Sequence, residues 1–480
     1  VTKTKSASFV TRFIFHIICE VKYMPILPID AGRYGSVQIK QIFQENNRLH
    51  YQLIIEATVA EAQAAIKMIP KNAAAEIAKT AKSGRITLKR VSELEAVSDH
   101  DTAAVVEALS EKCSSKSKPW IHYGLTSNDL VDTTISMQIR DALNIIEPKI
   151  LKLAGLLVNH SINFRAIAAV GRTHGQHASI IAFGLKFAVW ALELAIHIER
   201  IEEGKKRFLL CKTLGVVGTG SLMGKKALEV QKIVASGLNL HPVDAATQVI
   251  ARERIAEVQY LIALVGCTLD KIATEVRNLQ RTELGEISEP FRRGQMGSSA
   301  VPIKRNPIKS ERVSSLSRIL KSLVDISLEN IPLWHERDLS NSANERFTIT
   351  MGAILLDEML NSMILVTEGL KVDTQKVTSN LNLSGGQIFS EFVLDGLVRK
   401  GVSRIEAYRD IQRVAFSALE RGEHLRDAIK KDQKLAKLLT SSELRFIFKP
   451  SNHLGASPQI IANVAEKVRA VRDRYLKRKI

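Results

Sequence analysis

The sequence has few of the residues that mark several common functional classes. Its four cysteines lie far apart and form no CxxC pair, which argues against both a disulfide scaffold and a zinc knuckle. We therefore expect a reducing compartment, the cytoplasm. Aromatic residues make up only 5% of the chain, so few side chains are available for stacking on single-stranded nucleic acid. No run of about 18 uncharged apolar residues occurs, and we do not expect a membrane-spanning helix.

The motifs of several enzyme classes are also missing. The chain contains no GxSxG elbow, no Walker loop and no HExxH pair, so ordinary hydrolases, nucleotide triphosphatases and metalloproteases lack support. We expect neither a metal ion nor an organic cofactor.

Basic residues, by contrast, are in large excess. Lys and Arg number 68 against 50 Asp and Glu, a formal net charge of +18. Residues 395–480 hold 20 basic and 10 acidic side chains, which is more than half of that excess. The balance is compatible with nucleic acid or with small anionic substrates. A solvated basic surface explains it more simply than a nucleic-acid site, so we expect neither nucleic acid nor a membrane as a partner.

Apolar periodicity is the strongest structural signal. In residues 252–283 the apolar residues recur at alternating spacings of three and four, which predicts a heptad seam on one long helix. No proline occurs between Pro242 and Pro290, as an unbroken rod of about 45 Å requires. The seam consists of Ile255, Val258, Ile262, Val265, Leu269, Ile272, Val276 and Leu279. Further helical patterns cover residues 133–162, 178–208, 308–331 and 343–371.

These patterns predict an all-α protein built around a bundle of long helices. Because the apolar seams lie on more than one side, we expect the bundle to continue across subunits. We expect a helical N-terminal domain (24–119), a central long-helix domain (120–372) and a small basic C-terminal domain (373–480). Residues 1–23 have a basic start and an interrupted apolar middle, and Met24 opens a more ordinary beginning. We interpret residues 1–23 as a leader or a misplaced start.

Six polar segments interrupt the helices. Singly, each has an ordinary structural explanation: Thr126 or Ser127 caps the next helix, with Asp129 in its first turn, and His174 lies in a capping turn. The same hydroxyl and N–H groups at a helix N-terminus also suit a carboxylate or a phosphate. The segments are AGRYGS (31–36), SDHD (98–101), HYGLTSNDLVDTT (122–134), GRTHGQHA (171–178), GQMGSSAVPIKRNPIKSER (294–312) and WHERDLSNSANERF (334–347).

The segment 294–312 is the hardest to explain by packing. Its glycines permit motion, its prolines stiffen the exit, and Ser298 and Ser299 offer hydroxyl groups. Lys304 and Asn306 supply a positive charge and a donor. A mobile loop with a serine, a lysine and backbone N–H groups can stabilise an oxyanion. The alternative is a basic surface turn.

Together and in this order, the segments resemble the motifs of the fumarase/aspartase superfamily, whose signature loop has the form GSSxMPxKxNP. The resemblance runs from about Pro28 into the C-terminal domain, and GSSAVPIKRNP, TSNDLVDT, GRTHGQHA and ERDLSNSANER carry it. It implies three mostly helical domains and a homotetramer joined through a central bundle, with each active site built from several subunits. Within the superfamily, the chain is similar to the lyases that release fumarate from succinylated purine nucleotides.

The resemblance also implies roles for individual residues. Ser298 matches the general base of a β-elimination and His174 the general acid. Lys304 and Asn306 match groups that stabilise the alkoxide and the developing aci-carboxylate, and Glu311 matches the acidic partner of the histidine. The implied phosphate contacts are Arg33, Tyr34, Arg337, Ser342 and Arg346. The other implied substrate contacts are His100, Asp101, Thr126, Ser127, Thr173, Gln248 and Arg312.

Two alternatives stay open. A carboxymuconate cycloisomerase has similar KRNP and RTH motifs but no nucleotide to hold, and the arginines of GRYGS and ERDLSNSANER favour the lyase. The other alternative is a non-catalytic helical protein, structural or nucleic-acid-binding, on the same scaffold; the intact set of catalytic residues argues against it. Three residues beside the catalytic groups depart from the common motif patterns, and they concern loop packing and substrate detail. They are Val301, Ile303 and His177.

Overall fold

The computed structural model describes residues 26–479, and over that range the chain is all-α, as predicted, with 18 α-helices and six short strands. The segment interpreted as a leader, 1–23, lies outside the described residues. The helices are α1 Val37–Phe43, α2 Glu45–Ala65, α3 Lys71–Ala81, α4 Leu88–Ser98, α5 Asp101–Glu111, α6 Ser127–Asn163, α7 Gly184–Phe208, α8 Ala227–Gly237, α9 Glu253–Leu279, α10 Ile308–Glu329, α11 Ser342–Glu368, α12 Thr374–Asn380, α13 Ser390–Arg399, α14 Arg404–Glu420, α15 Leu425–Lys431, α16 Leu435–Leu438, α17 Ser441–Ile447 and α18 Ser457–Lys479. The strands are β1 Ala168–Thr173, β2 Gln176–Ala182, β3 Leu210–Cys211, β4 His241–Pro242, β5 Ile287–Ser288 and β6 Lys371–Val372.

Five long helices, α6, α7, α9, α10 and α11, pack on one another as the central bundle. Four of the five predicted helices agree with them closely; the largest difference is that α6 already begins at Ser127. It begins there because Thr126 and Asp129 form a capping box, in which each side chain accepts a hydrogen bond from the other residue's backbone N–H.

The heptad seam lies on α9 and is buried along its whole length. Every seam residue from Ile255 to Leu279 is at most 6% exposed. The partners of this helix belong to the same chain, since α9 packs against α10, α11 and α7. The seam is therefore covered within one chain and does not itself need a second copy.

The fifth predicted helix, 178–208, is wrong in its first residues, because α7 begins at Gly184 and residues 176–182 form β2. This strand pairs with β1 in an antiparallel hairpin. Successive side chains face two hydrophobic clusters: Ile180 packs with the C-terminal helices, whereas Ile181, on the opposite face, packs against the bundle. The apolar residues ahead of the helix follow the period of a strand, and they run directly into the helical pattern.

The regions before and after the bundle have hydrophobic clusters of their own. One cluster extends from Leu49 to Ile121, and another includes the residues from Leu381 to Ile447. The last helix, α18, returns to the bundle and packs on α7 and α6. The chain thus ends on its central helices.

One helix bears on the expectation that none could cross a membrane. By length and composition alone α11 is apolar enough to do so. However, 72% of its most apolar stretch is buried inside the protein, as in a core helix of a bundle.

Candidate active site

A cavity of about 670 Å³ opens where the N-terminal ends of α5, α6 and α11 meet the segment leading into α9. The three helix starts direct positive partial charge toward this region, which favours an anionic ligand. Residues from distant parts of the sequence converge here. The predicted site residues that line the cavity are His100, Asp101, Ser127, Gln248, Arg337, Ser342 and Arg346.

The N-terminus of α6 forms one wall of the cavity. Thr126 is the N-cap. The Asp129 carboxylate accepts a hydrogen bond from the backbone N–H of Thr126 at 2.9 Å and another from the ammonium group of Lys212 at 2.5 Å. Both Asp129 and Lys212 are fully buried, so this pair fixes the start of the helix. Asn128 is only 3% exposed and lines the cavity, yet its Oδ1 has no hydrogen-bond partner within the described chain. No pattern in the sequence distinguished Asn128 from its neighbours.

The floor of the cavity is a buried ionic network centred on Arg252. Its guanidinium group donates to Asp132 at 2.8 Å and forms an ion pair with Glu345 at 3.0 Å, and all three residues are at most 5% exposed. The network joins α6, α11 and the segment before α9. No motif pointed to Arg252, because a single charged residue at a helix start has no signature in the sequence.

The rim of the cavity carries the predicted Asp101 and Arg346. Asp101 accepts hydrogen bonds from Arg48 at 3.0 Å and from Arg346 at 3.1 Å. Burial raises the pKa of Asp101, but the two arginines and the N–H of Thr102 outweigh burial and hold the pKa below its usual range. His100 is the N-cap of α5 and accepts a hydrogen bond from the next turn.

The predicted catalytic loop lies elsewhere, between β5 and α10. The hydroxyl oxygen of Ser298 accepts hydrogen bonds from the N–H groups of Val301, at 3.1 Å, and Ala300, at 3.3 Å. Asn306 closes the loop by donating to the carbonyl of Gly297 at 2.9 Å. A Cβ at Gly297 would lie 1.9 Å from the carbonyl oxygen of Lys304, so only glycine allows this close approach. The side chains of Lys304 and Glu311 are exposed and have no polar partner among the described residues.

The predicted acid is at the tip of the β1–β2 hairpin. His174 has φ +53° and is exposed, and Thr173 beside it is exposed as well. At the base of the tip, Arg172 forms an ion pair with the buried Glu286. The second histidine, His177, is half-buried, and burial lowers its pKa below the usual value.

The remaining predicted residues meet at the middle of α11. The guanidinium of Arg312 lies 5.8 Å above the ring of Tyr34 and pairs with Glu358 at 3.2 Å. The amide N–H of Gly35, next to Tyr34, also donates to Glu358. Arg33 is exposed in the same loop.

Within one chain, the predicted site residues therefore lie in three separate places. The cavity is at the N-terminal end of α6, whereas the hairpin with His174 follows its C-terminal end. With 37 residues, α6 is about 55 Å long, which is far beyond the reach of a side chain. The loop with Ser298 follows the C-terminal end of α9, while the cavity lies at the start of that helix. The proposed acid and base are thus at the other end of the bundle from the cavity.

Comparison with known proteins first defines the class. Residues 33–319 match the family described as Lyase. The crystal structure of 3-carboxy-cis,cis-muconate lactonizing enzyme from Pseudomonas putida superposes with a TM-score of 0.84 at 26% identity, and the match covers 93% of this chain and 100% of that one. The helical fold and the motifs are those of the fumarase/aspartase superfamily, which confirms the resemblance found in the sequence.

The relatives then narrow the class. Residues 386–464 match the family described as adenylosuccinate lyase C-terminus. Adenylosuccinate lyase of Methanocaldococcus jannaschii is 41% identical over 94% of this chain and 98% of its own length, and that of Pyrococcus abyssi is 41% identical over 94% and 100%. The chain belongs to the adenylosuccinate lyase family.

Proposed function

We propose that this protein eliminates fumarate from adenylosuccinate, which leaves AMP, and from the succinylaminoimidazole carboxamide ribotide of purine biosynthesis, which leaves the carboxamide. The observation that carries the proposal is that the chain is 36 to 41% identical, over nearly its whole length, to archaeal adenylosuccinate lyases. The matched C-terminal family supports it, because that region lies outside the part shared with lyases in general.

The proposed reaction needs two groups on opposite sides of the substrate. A base takes the proton from the carbon beside one carboxylate, the C–N bond breaks, and an acid protonates the departing nitrogen. We assign the base to Ser298 and the acid to His174. The two N–H groups that already donate to the Ser298 oxygen would stabilise its alkoxide, and Lys304 would add a positive charge.

The residues of the cavity are suited to binding the substrate. Thr126 and Ser127 would hold the succinyl part at the start of α6, where the helix dipole favours a carboxylate. Arg337 and Arg346 would pair with phosphate oxygens, for which a planar guanidinium group is well suited. A ligand phosphate would then compete with Asp101 for Arg346, since the two side chains are paired in its absence.

The distance between the cavity and the proposed acid and base supports an active site shared between subunits. A second copy that runs antiparallel to the first would bring the loop end of one bundle beside the cavity end of the other. We propose that the protein is a homotetramer with such shared sites, because closed symmetry repeats this contact for every copy.

We also propose cytoplasmic location and three domains, with boundaries near residues 119 and 372. The absence of paired cysteines in the sequence supports the first proposal. The separate hydrophobic clusters before and after the bundle support the second.

The carboxymuconate cycloisomerase remains the second candidate, and the superposition on the Pseudomonas putida enzyme favours it. A direct assay separates the two. Purified protein is mixed with adenylosuccinate, and AMP and fumarate are measured separately; the same preparation is then tested with 3-carboxymuconate. Equal amounts of AMP and fumarate support the lyase. Turnover of the muconate alone would reject it, and so would no turnover of either compound by a correctly assembled oligomer.

A further inference from the structure

Two consecutive carboxylates on α11 hold the loop that carries Arg33 and Tyr34. The backbone N–H of Ser36 donates to Asp357 at 2.8 Å, and that of Gly35 donates to Glu358 at 3.2 Å. The loop lies flat on the helix at this point. A Cβ at Gly35 would lie 2.5 Å from the side chain of Ile354, one turn before Glu358. The position of the loop is therefore set by α11.

The two carboxylates differ in their other partners. Asp357 is fully buried and, besides accepting from Ser36, pairs with Lys149 of the bundle. Glu358 is 15% exposed on its side chain and pairs with Arg312, which is 39% exposed. The same carboxylate thus holds a backbone N–H of the loop with one oxygen and the guanidinium of Arg312 with the other.

This arrangement brings Arg312 to the loop. With its guanidinium 5.8 Å from the centre of the Tyr34 ring, Arg312 is held both by the ring and by Glu358. The resemblance of the sequence motifs implies that Arg312 contacts the substrate, but it does not specify which part of the substrate. Its position beside Tyr34 assigns it to the same anionic group as Arg33 and Tyr34, at the nucleotide end.

We propose that Glu358 is a positioning residue that orients Arg312 and the Arg33–Tyr34 loop as one binding unit for the substrate phosphate, supplied by one copy to the cavity of another. The inference rests on the proposed function, because it assumes a nucleotide substrate. A carboxylate in this place orients the arginine without blocking it, since the guanidinium group has five N–H donors and Glu358 accepts a hydrogen bond from only one of them.

The substitution Glu358→Gln keeps the size of the side chain and removes its charge. Its amide NH₂ cannot accept a hydrogen bond, so either Gly35 or Arg312 loses its partner. If Glu358 orients the phosphate group, affinity for AMP should fall, whereas affinity for fumarate, which has no phosphate, should not. If Glu358 only stabilises the fold, both affinities should change together or neither should.

The test is product inhibition of adenylosuccinate cleavage by AMP and, separately, by fumarate, in the wild type and in Glu358→Gln. We expect the inhibition constant of AMP to rise roughly tenfold, which corresponds to the loss of one charge-assisted hydrogen bond, and that of fumarate to change less than about twofold. Glu368→Gln is the matched control, because Glu368 lies on the same helix and pairs with Lys152 away from the loop. It should leave both constants unchanged.

Equal weakening of AMP and fumarate, or no weakening of AMP, would overturn the proposal. A selective loss of fumarate affinity would also overturn it, because Arg312 would then contact the succinyl part. Wild-type turnover is measured first, since its absence would reject the proposed function itself and the inference with it. Should Glu358→Gln fold poorly, Arg312→Lys is used instead, and it should show the same selective loss for AMP.

Discussion

The two ends of the bundle hold their polar groups in different ways. At the cavity end, Arg252, Asp132 and Glu345 are buried and paired, and the start of α6 is fixed by a second buried pair. At the other end, His174 and Lys304 are exposed, and neither has a polar partner among the described residues. The buried ion pairs of the cavity end are complete within one chain, whereas His174 and Lys304 have no polar partner in its described part. The proposed binding groups of the cavity thus lie beside a buried ionic network, and the proposed catalytic groups lie on a hairpin and a loop.

The largest effect should follow from removing a catalytic group. We expect Ser298→Ala and His174→Ala each to reduce kcat by about a thousandfold or more, since each removes a proton-transfer group. Stability should change little, because His174 is exposed and Ser298 bonds only to neighbouring N–H groups of its own loop. Steady-state kinetics and thermal unfolding measure the two quantities. Ser299→Ala is the matched control for the loop, and near-normal activity in either catalytic variant would disprove that role.

At the cavity end, by contrast, we expect a substitution in the buried ionic network to lower the stability of the fold. Arg252→Met leaves Asp132 and Glu345 buried without their positive partner, and we expect a loss of about 3 to 5 kcal/mol in the free energy of unfolding. Denaturant titration measures it. Arg254→Met, two residues along, removes an exposed pair with Glu253 and should cost less than about 1 kcal/mol. Equal losses in the two variants would mean that the buried network contributes no more to stability than an exposed ion pair does.

Arg346 lies at the rim and should affect binding more than chemistry. In Arg346→Ala we expect KM to rise roughly tenfold and kcat to change much less, because one phosphate contact is lost. Initial rates over a range of adenylosuccinate concentrations separate the two constants. An unchanged KM, or a loss confined to kcat, would contradict the assignment to the phosphate.

The smallest effect concerns pH and the segment that leads into α6. Burial lowers the pKa of His122, but the Glu56 carboxylate at 2.6 Å, with Asp129 further away, outweighs it and leaves the pKa above its usual value. The pair therefore stabilises the fold fully below about pH 6.5 and loses this contribution as the pH rises through the raised pKa. Replacing His122 by Gln should cost on the order of 1 kcal/mol at pH 6 and less at pH 9.

Unfolding at both pH values measures that difference. His50→Gln is the control, since His50 is exposed on the same helix as Glu56. A cost for His122→Gln that is equal at the two pH values would show that the histidine acts by packing alone.

The long helices could be predicted because their apolar period is local. The seam from Ile255 to Leu279 was sufficient to define α9, and the six polar segments were sufficient to identify the superfamily. The hairpin was missed because Ile180 and its neighbours have a strand period that continues into a helix. Arg252, Asn128 and Glu358 were missed for another reason: each gains its importance from residues far away in the chain, and a single polar residue on a helix has no local signature. For the same reason the sequence could not show how the proposed site residues are distributed over three separate places in one chain.

The central claim is that the cavity and the proposed acid and base of one active site come from different chains. Mixed oligomers test it: Ser298→Ala and Arg346→Ala subunits are combined in equal amounts, mixing is verified by native mass spectrometry, and activity is measured well below the wild-type KM. Random assembly then gives about a quarter of the sites both groups intact, so we expect activity of roughly a quarter of the wild-type value. Activity below that of the Arg346→Ala parent, in oligomers that are demonstrably mixed, would show that both groups come from one chain and would contradict the account.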